Sequence, residues 1–369
     1  MIIKKLVSFF KNEIVLCLAT TAAIVSCFFV TPDLAYFSYI DWDTMLLLFS
    51  LMTVMKGFQK AGFFVFLSGK LLKKTNTSRK LMFVLIFLPF TLSMLITNDV
   101  ALITFVPFGM TVLEITNRKN LIIPLVVLQT IAANMGSALT PMGNPQNLYL
   151  YSASGLSFGQ FCLLMMPYTL ISGIFIFLPV IFIKPDKIVL PNTEYDFSSK
   201  KYIIFGVFGF LLCISGIFDI ISPIPIAAII LVFLIFADRK LQAEIDYPLL
   251  ATFFVFFIFT GNISRMELFK TLIGSIISNQ VIPVSVLTSQ IISNVPAALL
   301  LSGFTDNWEA LITGCNIGWL GTLIASMASL ISYKMITKEY PGYRKKYFAA
   351  FTIYNIILLL ILMAASLIL

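Results

Sequence analysis

Asp99 is the only charged residue between Leu81 and Leu113, and it follows two polar neighbours in the stretch TNDVA, Thr97 and Asn98. A lone carboxylate in such a run has two uses. It can cap a helix by accepting backbone N–H groups, or it can hold a cation or carry a proton, because an intramembrane carboxylate is costly and usually functional. The chain has no histidine, so no imidazole is present to exchange protons instead. A second polar cluster, SNVPA, sets Ser293 and Asn294 in the uncharged run from Thr271 to Thr305. A third, TPMGNPQN, gathers Thr140, Gly143, Asn144 and Asn147 around Pro141 and Pro145, and a weaker fourth, LGTLIASMAS, holds Thr322, Ser326 and Ser329 beside Gly321. Hydroxyl, amide and freed carbonyl oxygens suit Na⁺, whereas helix N-termini suit an anion. Each group also has a plainer use. The hydroxyls can bond back to their own helices, Asn98 and Asn294 can satisfy turn backbone, Asn144 and Asn147 can shape a loop, and Gly143 offers only its carbonyl. Asn134 and Asn316 read as helix-packing residues.

The surrounding composition fixes the medium. The sequence is 59% hydrophobic and 11% charged, against about 25% charged in a soluble domain. No Asp, Glu, Lys or Arg occurs from Leu121 to Ile183, far beyond the length of one membrane-spanning helix. The chain is therefore expected to be an all-α polytopic membrane protein. Transmembrane barrel strands alternate apolar and polar residues, and these runs do not. The net charge of +8 does not indicate nucleic acid, since the basic residues cluster in short loops between apolar runs. Cys17, Cys27, Cys162, Cys213 and Cys315 lie in apolar stretches and read as small buried fillers.

Loop charges give a topology. With Lys4, Lys5 and Lys11 inside, the first span is uncleaved and crosses outward. The second returns to a basic cluster at Lys70, Lys73, Lys74, Arg79 and Lys80, and residues 56–69 read as an amphipathic helix on the inner surface. The run 81–115 starts and ends at basic loops, which makes it a re-entrant hairpin with TNDVA at its tip. Residues 121–151 form an interrupted helix. A hydrophilic cytoplasmic linker, 184–201, leads to a connecting span at 202–218. A second hairpin occupies 271–305 and a second interrupted helix 309–333. All basic residues except Arg265 and Lys270 then lie inside or at the inner surface. The count is about nine transmembrane helices plus two hairpins, with the N-terminus cytoplasmic and the C-terminus outside, in a bacterial-type cytoplasmic membrane.

An internal repeat underlies this order. TNDVALITFVPF from Thr97 resembles SNVPAALLLSGF from Ser293, and ANMGSALTPMGNPQN from Ala133 aligns with CNIGWLGTLIASMAS from Cys315. The alignment pairs Asn134 with Asn316, Gly136 with Gly318, Thr140 with Thr322, Asn144 with Ser326, and Asn147 with Ser329. The copies, 1–183 and 219–369, start on helices of opposite direction, so they are inverted. Inverted repeats with broken helices are the build of secondary transporters, whose sites lie where the breaks meet. Such breaks survive in a bilayer only where protein or a water-filled cavity covers them.

At these residues the chain resembles the ion transporter superfamily of citrate-transporter-like permeases, arsenite permeases and Na⁺/dicarboxylate symporters. It is most similar to bacterial inner-membrane permeases with TNDVA and NVPA tips. The resemblance covers nearly the whole chain and implies a scaffold domain that pairs as a homodimer, beside a transport domain that moves as an elevator. The dicarboxylate branch carries Ser-Asn-Thr at both tips. Here Asn98 and Asn294 match, while Asp99 and Val295 replace the third residue, one copy gaining a carboxylate and the other losing a hydroxyl.

The expected function is secondary transport of a small anion or neutral oxyacid, driven by Na⁺ or H⁺, with no other cofactor and no nucleic-acid partner. Substrate binding is assigned to Asn98, Asn294, Asn144, Asn147, Ser293, Ser326, Thr140 and Thr322. The coupling ion is assigned to Thr97, Asn98, Asp99 and Gly143. Alternatives are a proton-driven efflux permease of arsenite type, a Na⁺/H⁺ antiporter, a channel and an intramembrane enzyme. The last has neither a histidine base nor a second deep carboxylate to work with.

Overall fold

The structure is a computed structural model that describes residues 13–369 apart from 74, 191–195 and 279. Lys4, Lys5, Lys11 and Lys74, together with the middle of the 184–201 linker, lie outside the described residues. Among the described residues there are nineteen α-helices, four short 3-10 segments and no strand beyond one isolated bridge, Thr77 to Lys187.

The first half opens with α1 (Ile14–Cys27) and a single turn, α2 (Tyr36–Tyr39), followed by α3 (Trp42–Lys60) and α4 (Phe63–Leu72). A helix pair comes next, α5 (Ser78–Leu92) and α6 (Asn98–Ile115). It leads into α7 (Ile122–Ser137), a 3-10 turn at Pro141–Gly143, α8 (Pro145–Ser154) and the long α9 (Phe158–Ile181). Two connecting helices, α10 (Lys200–Ile217) and α11 (Pro223–Ala237), and a single turn, α12 (Arg239–Gln242), lead to α13 (Tyr247–Ser264) and α14 (Glu267–Ile277). The sequence of elements then recurs. A pair, α15 (Val281–Ile292) and α16 (Asn294–Leu301), precedes α17 (Trp308–Ile317), a 3-10 turn at Leu323–Ala325, α18 (Met327–Glu339) and the long α19 (Arg344–Ala365).

Local chemistry sets these boundaries. Asp41 and Asp246 cap α3 and α13, accepting from Thr44 N at 2.9 Å and Leu249 N at 3.1 Å. Pro141, Gly143 and Pro145 interrupt the first broken helix as their types require. Residues 56–69 are not one amphipathic helix. Residues 56–60 continue α3, and the chain turns at Ala61 and Gly62, where a φ of +71° needs a glycine. The run 271–305, expected to be one hairpin, holds the end of α14 (residues 271–277), α15 and α16, with a bend of 114° between α14 and α15.

Among the described residues six helices are long and apolar enough to cross a membrane, or seven if α14 and α15 count as one bent span. The expected count of nine is higher for two physical reasons. Helices α1 and α11 are apolar but short, and the second interruption leaves α17 and α18 too short to pass alone, whereas α7, before the first interruption, does pass. At the centre lies α7, buried without a gap from Leu125 to Ala138 and packed against α5, α6, α9, α18 and α19. Gly136 permits the closest of these approaches. A Cβ there would collide with the carbonyl of Phe90 on α5 and come within 2.5 Å of Ser93 Oγ.

Candidate functional site

Four helices begin at the polar clusters: α6 at Asn98, α8 at Pro145, α16 at Asn294 and α18 at Met327. Their first residues meet in a closed set of buried polar contacts. Asn98 Nδ2 donates to Asn134 Oδ1 at 3.0 Å, and Asn98 Oδ1 accepts from the backbone N–H of Asp99 at 2.9 Å. Asn134 in turn reaches the other half of the chain. Its Oδ1 accepts from Ser326 Oγ at 3.4 Å and its Nδ2 donates to Ser329 Oγ at 3.3 Å. Next to Ser326, the carbonyl of Ala325 accepts from Ser293 Oγ at 3.4 Å, and the same hydroxyl lies 3.2 Å from Asn294 Oδ1. Asn294 Nδ2 donates back into the first half, to Gln146 Oε1 at 2.5 Å, and Asn316 Nδ2 donates to Asn147 Oδ1 at 2.8 Å. Asn147 Nδ2 closes the set on the carbonyls of Ser137 and Thr140, at 3.3 and 3.5 Å.

Three members of this ring, and Asn144 beside them in sequence, have buried polar atoms with no hydrogen-bond partner among the described residues. Two are acceptors, Asp99 Oδ1 and Asn316 Oδ1, and two are donors, Asn144 Nδ2 and Gln146 Nε2. An unsatisfied buried polar atom costs about 1–3 kcal/mol, and native proteins hold few. These four atoms, on ring residues and on Asn144 beside them in sequence, give the ring capacity for a ligand that offers both donors and acceptors, or for an ion with its counterpart. Asp99 sits in the first turn of α6, yet no donor reaches its Oδ1, and Thr97 makes no side-chain cap bond. Ser293 adds local strain: its φ of +74° and ψ of 156° lie where non-glycine residues rarely go.

Not every predicted residue joins the ring. Thr140 Oγ1 hydrogen-bonds the carbonyl of Met94 and so braces the α5–α6 turn. Thr322, which is exposed, does the same for the α15–α16 turn. Its N–H donates to Gln290 Oε1 at 2.9 Å and its hydroxyl lies 3.5 Å from the Gln290 carbonyl. Gly143 is held by packing, since a Cβ would come within 2.7 Å of Ser137 Cα and 2.8 Å of the Ser93 carbonyl. Asn134 and Asn316, expected only to pack helices, are central members. Gln146 gave no separate signal beyond its place inside GNPQN. No Lys or Arg belongs to the ring. The charged groups acting on Asp99 from a distance are Asp246 and, with opposite sign, Lys56.

A family model described as citrate transporter matches residues 1–307. An uncharacterized transporter of Methanocaldococcus jannaschii is 35% identical over 305 residues, covering 81% of this chain and 82% of that protein. The inner membrane protein YbiR of Escherichia coli is 30% identical over 304 residues, 80% of each chain. A silicon efflux transporter of Oryza sativa shares 35% identity over a shorter stretch, 37% of this chain and 28% of its own.

Proposed function

This chain belongs to the citrate transporter family and is a multi-pass membrane transporter, and from that premise we propose that it is a secondary active carrier of a small anion or neutral oxyacid coupled to Na⁺ or H⁺. The observation that carries the proposal is the buried ring, in which helix N-termini from both halves meet around orphaned donors and acceptors. Asp99, with Thr97, Asn98 and the Gly143 carbonyl, holds the coupling cation. Asn144, Asn147, Asn294, Ser293 and Ser326 bind the substrate, with Asn134, Gln146 and Asn316 fixing their orientation.

Paired contacts support the inverted repeat. Asn134 donates to Ser329 as its counterpart Asn316 donates to Asn147. Thr140 bonds the carbonyl of Met94 as Thr322 approaches that of Gln290. Gly136 abuts Ser93 Oγ as Gly318 abuts Ser289 Oγ. Two halves that hold one site from opposite sides suit alternating access. In that scheme the ring-bearing helices move as an elevator past a scaffold that pairs as a homodimer, in a cytoplasmic membrane.

A ring without Lys or Arg favours a substrate of low charge, which supports efflux of a weakly ionised oxyacid as the second reading. That reading is strengthened by the relative named as a silicon efflux transporter. The test is uptake into proteoliposomes under imposed Na⁺ and pH gradients, with citrate and silicic acid as the first substrates tried. Saturable, gradient-dependent flux that is lost in Asp99→Asn supports the coupling role. Flux that follows only the substrate gradient, without saturation, would identify a channel instead.

A further inference from the structure

A cavity of about 290 Å³ lies between the start of α1, the start of α13 and the length of α18, lined by Glu13, Asp246, Thr252, Met327, Lys334 and apolar neighbours. At its mouth Asp246 and Lys334 are exposed, while Thr252 is buried at its inner side. Met327 lies seven residues before Lys334 on α18, which at 1.5 Å per residue puts the two ends about 10 Å apart. The inner end is next to the ring, because Ser326, the residue before Met327, contacts Asn134. Helix α18 also packs along α6, the helix that Asp99 opens. The cavity thus extends from a charged surface towards the ring, whose own residues do not line it.

We infer that this cavity is the vestibule through which the coupling cation reaches the ring, with Asp246 and Glu13 as the groups that concentrate cations at its mouth. The inference rests on the transport reading above and adds to it a route and a side. Among the described lining residues two carboxylates outnumber the one ammonium, Lys334, and their field favours cations over anions. Asp246 acts electrostatically on both Asp99 and Glu13, and Lys56 and Lys334 oppose it at those two carboxylates respectively. Burial, reinforced by Asp246 and opposed by Lys334, raises the Glu13 carboxyl above the ordinary range. An anionic substrate would meet repulsion here.

Two measurements test the route. In a variant whose five cysteines are replaced by serine or alanine, Thr252→Cys should react with a membrane-impermeant maleimide added on the side that labels Lys334→Cys. Labelling only from the opposite side, or none while Lys334→Cys reacts, overturns the vestibule. This readout needs no substrate, so it stands or falls apart from the transport reading. In proteoliposomes, Asp246→Asn should raise the half-saturating concentration of the driving cation about fivefold, the scale of one charge lost from the passage. The maximal rate should be largely preserved. An unchanged half-saturation with normal maximal flux also overturns the inference.

Discussion

At the residue scale the chain concentrates cost in a few buried atoms. Asp99 carries a carboxylate oxygen that nothing among the described residues satisfies, and such a group weakens the fold unless a ligand repays it. Asp99→Asn should therefore leave the melting temperature of the purified protein unchanged or higher while abolishing gradient-driven uptake. A fall in stability with uptake intact would reverse the assignment and make Asp99 structural. Asn134 is the opposite case, since it satisfies Asn98, Ser326 and Ser329 together. Its replacement by alanine strands those partners and should cost about 1–3 kcal/mol, read as a lower midpoint in thermal unfolding. The prominence of Asp99 was legible from its isolation in an uncharged run. The centrality of Asn134 was not, because an asparagine within an apolar helix looks the same whether it packs helices or joins both halves of a site.

At the element scale, glycines and prolines mark where helices stop and where they touch. Gly136 faces the backbone of α5, which cannot step aside, so Gly136→Ala should destabilise by about 1–3 kcal/mol through overpacking. Gly159, which would meet nothing within 4 Å, is the matched control. Its alanine variant should hold or slightly raise the melting temperature. Equal losses at the two positions would count against the close α5–α7 approach. The interruptions at TPMGNPQN and LGTLIASMAS were readable because proline, glycine and clustered polar side chains are incompatible with a continuous helix in lipid. The boundary between α14 and α15 was not. Residues 271–277 are as free of charge as α15 that follows, and charge alone cannot place a bend between two uncharged helices.

At the scale of the whole molecule, one charged clamp ties the first half to the connecting helices. Asp238, between α11 and α12, receives Lys60 of α3 at 2.6 Å and the Tyr202 hydroxyl of α10. Lys60 first and Tyr202 second hold the Asp238 carboxyl well below the usual carboxylate range. A depressed value in the folded state means that the stabilisation is complete above the ordinary pKa of about 4 and fades as pH falls below it. Asp238→Asn should accordingly melt earlier than the parent at pH 7, and the gap should close as the pH is lowered through that range. A gap independent of pH would assign the effect to packing instead. The sequence by itself determined the medium, the helical class, the two breaks and the repeated clusters. These follow from composition and from residue types that lipid forbids in any other setting. Only the tertiary structure decided which polar atoms find partners and which stay orphaned, and that a cavity along α18 reaches Met327, one residue from Ser326. Those outcomes depend on contacts between residues more than a hundred positions apart, such as Asn134 with Ser326 and Asn294 with Gln146, and the spacing of residue types along one chain carries no record of them.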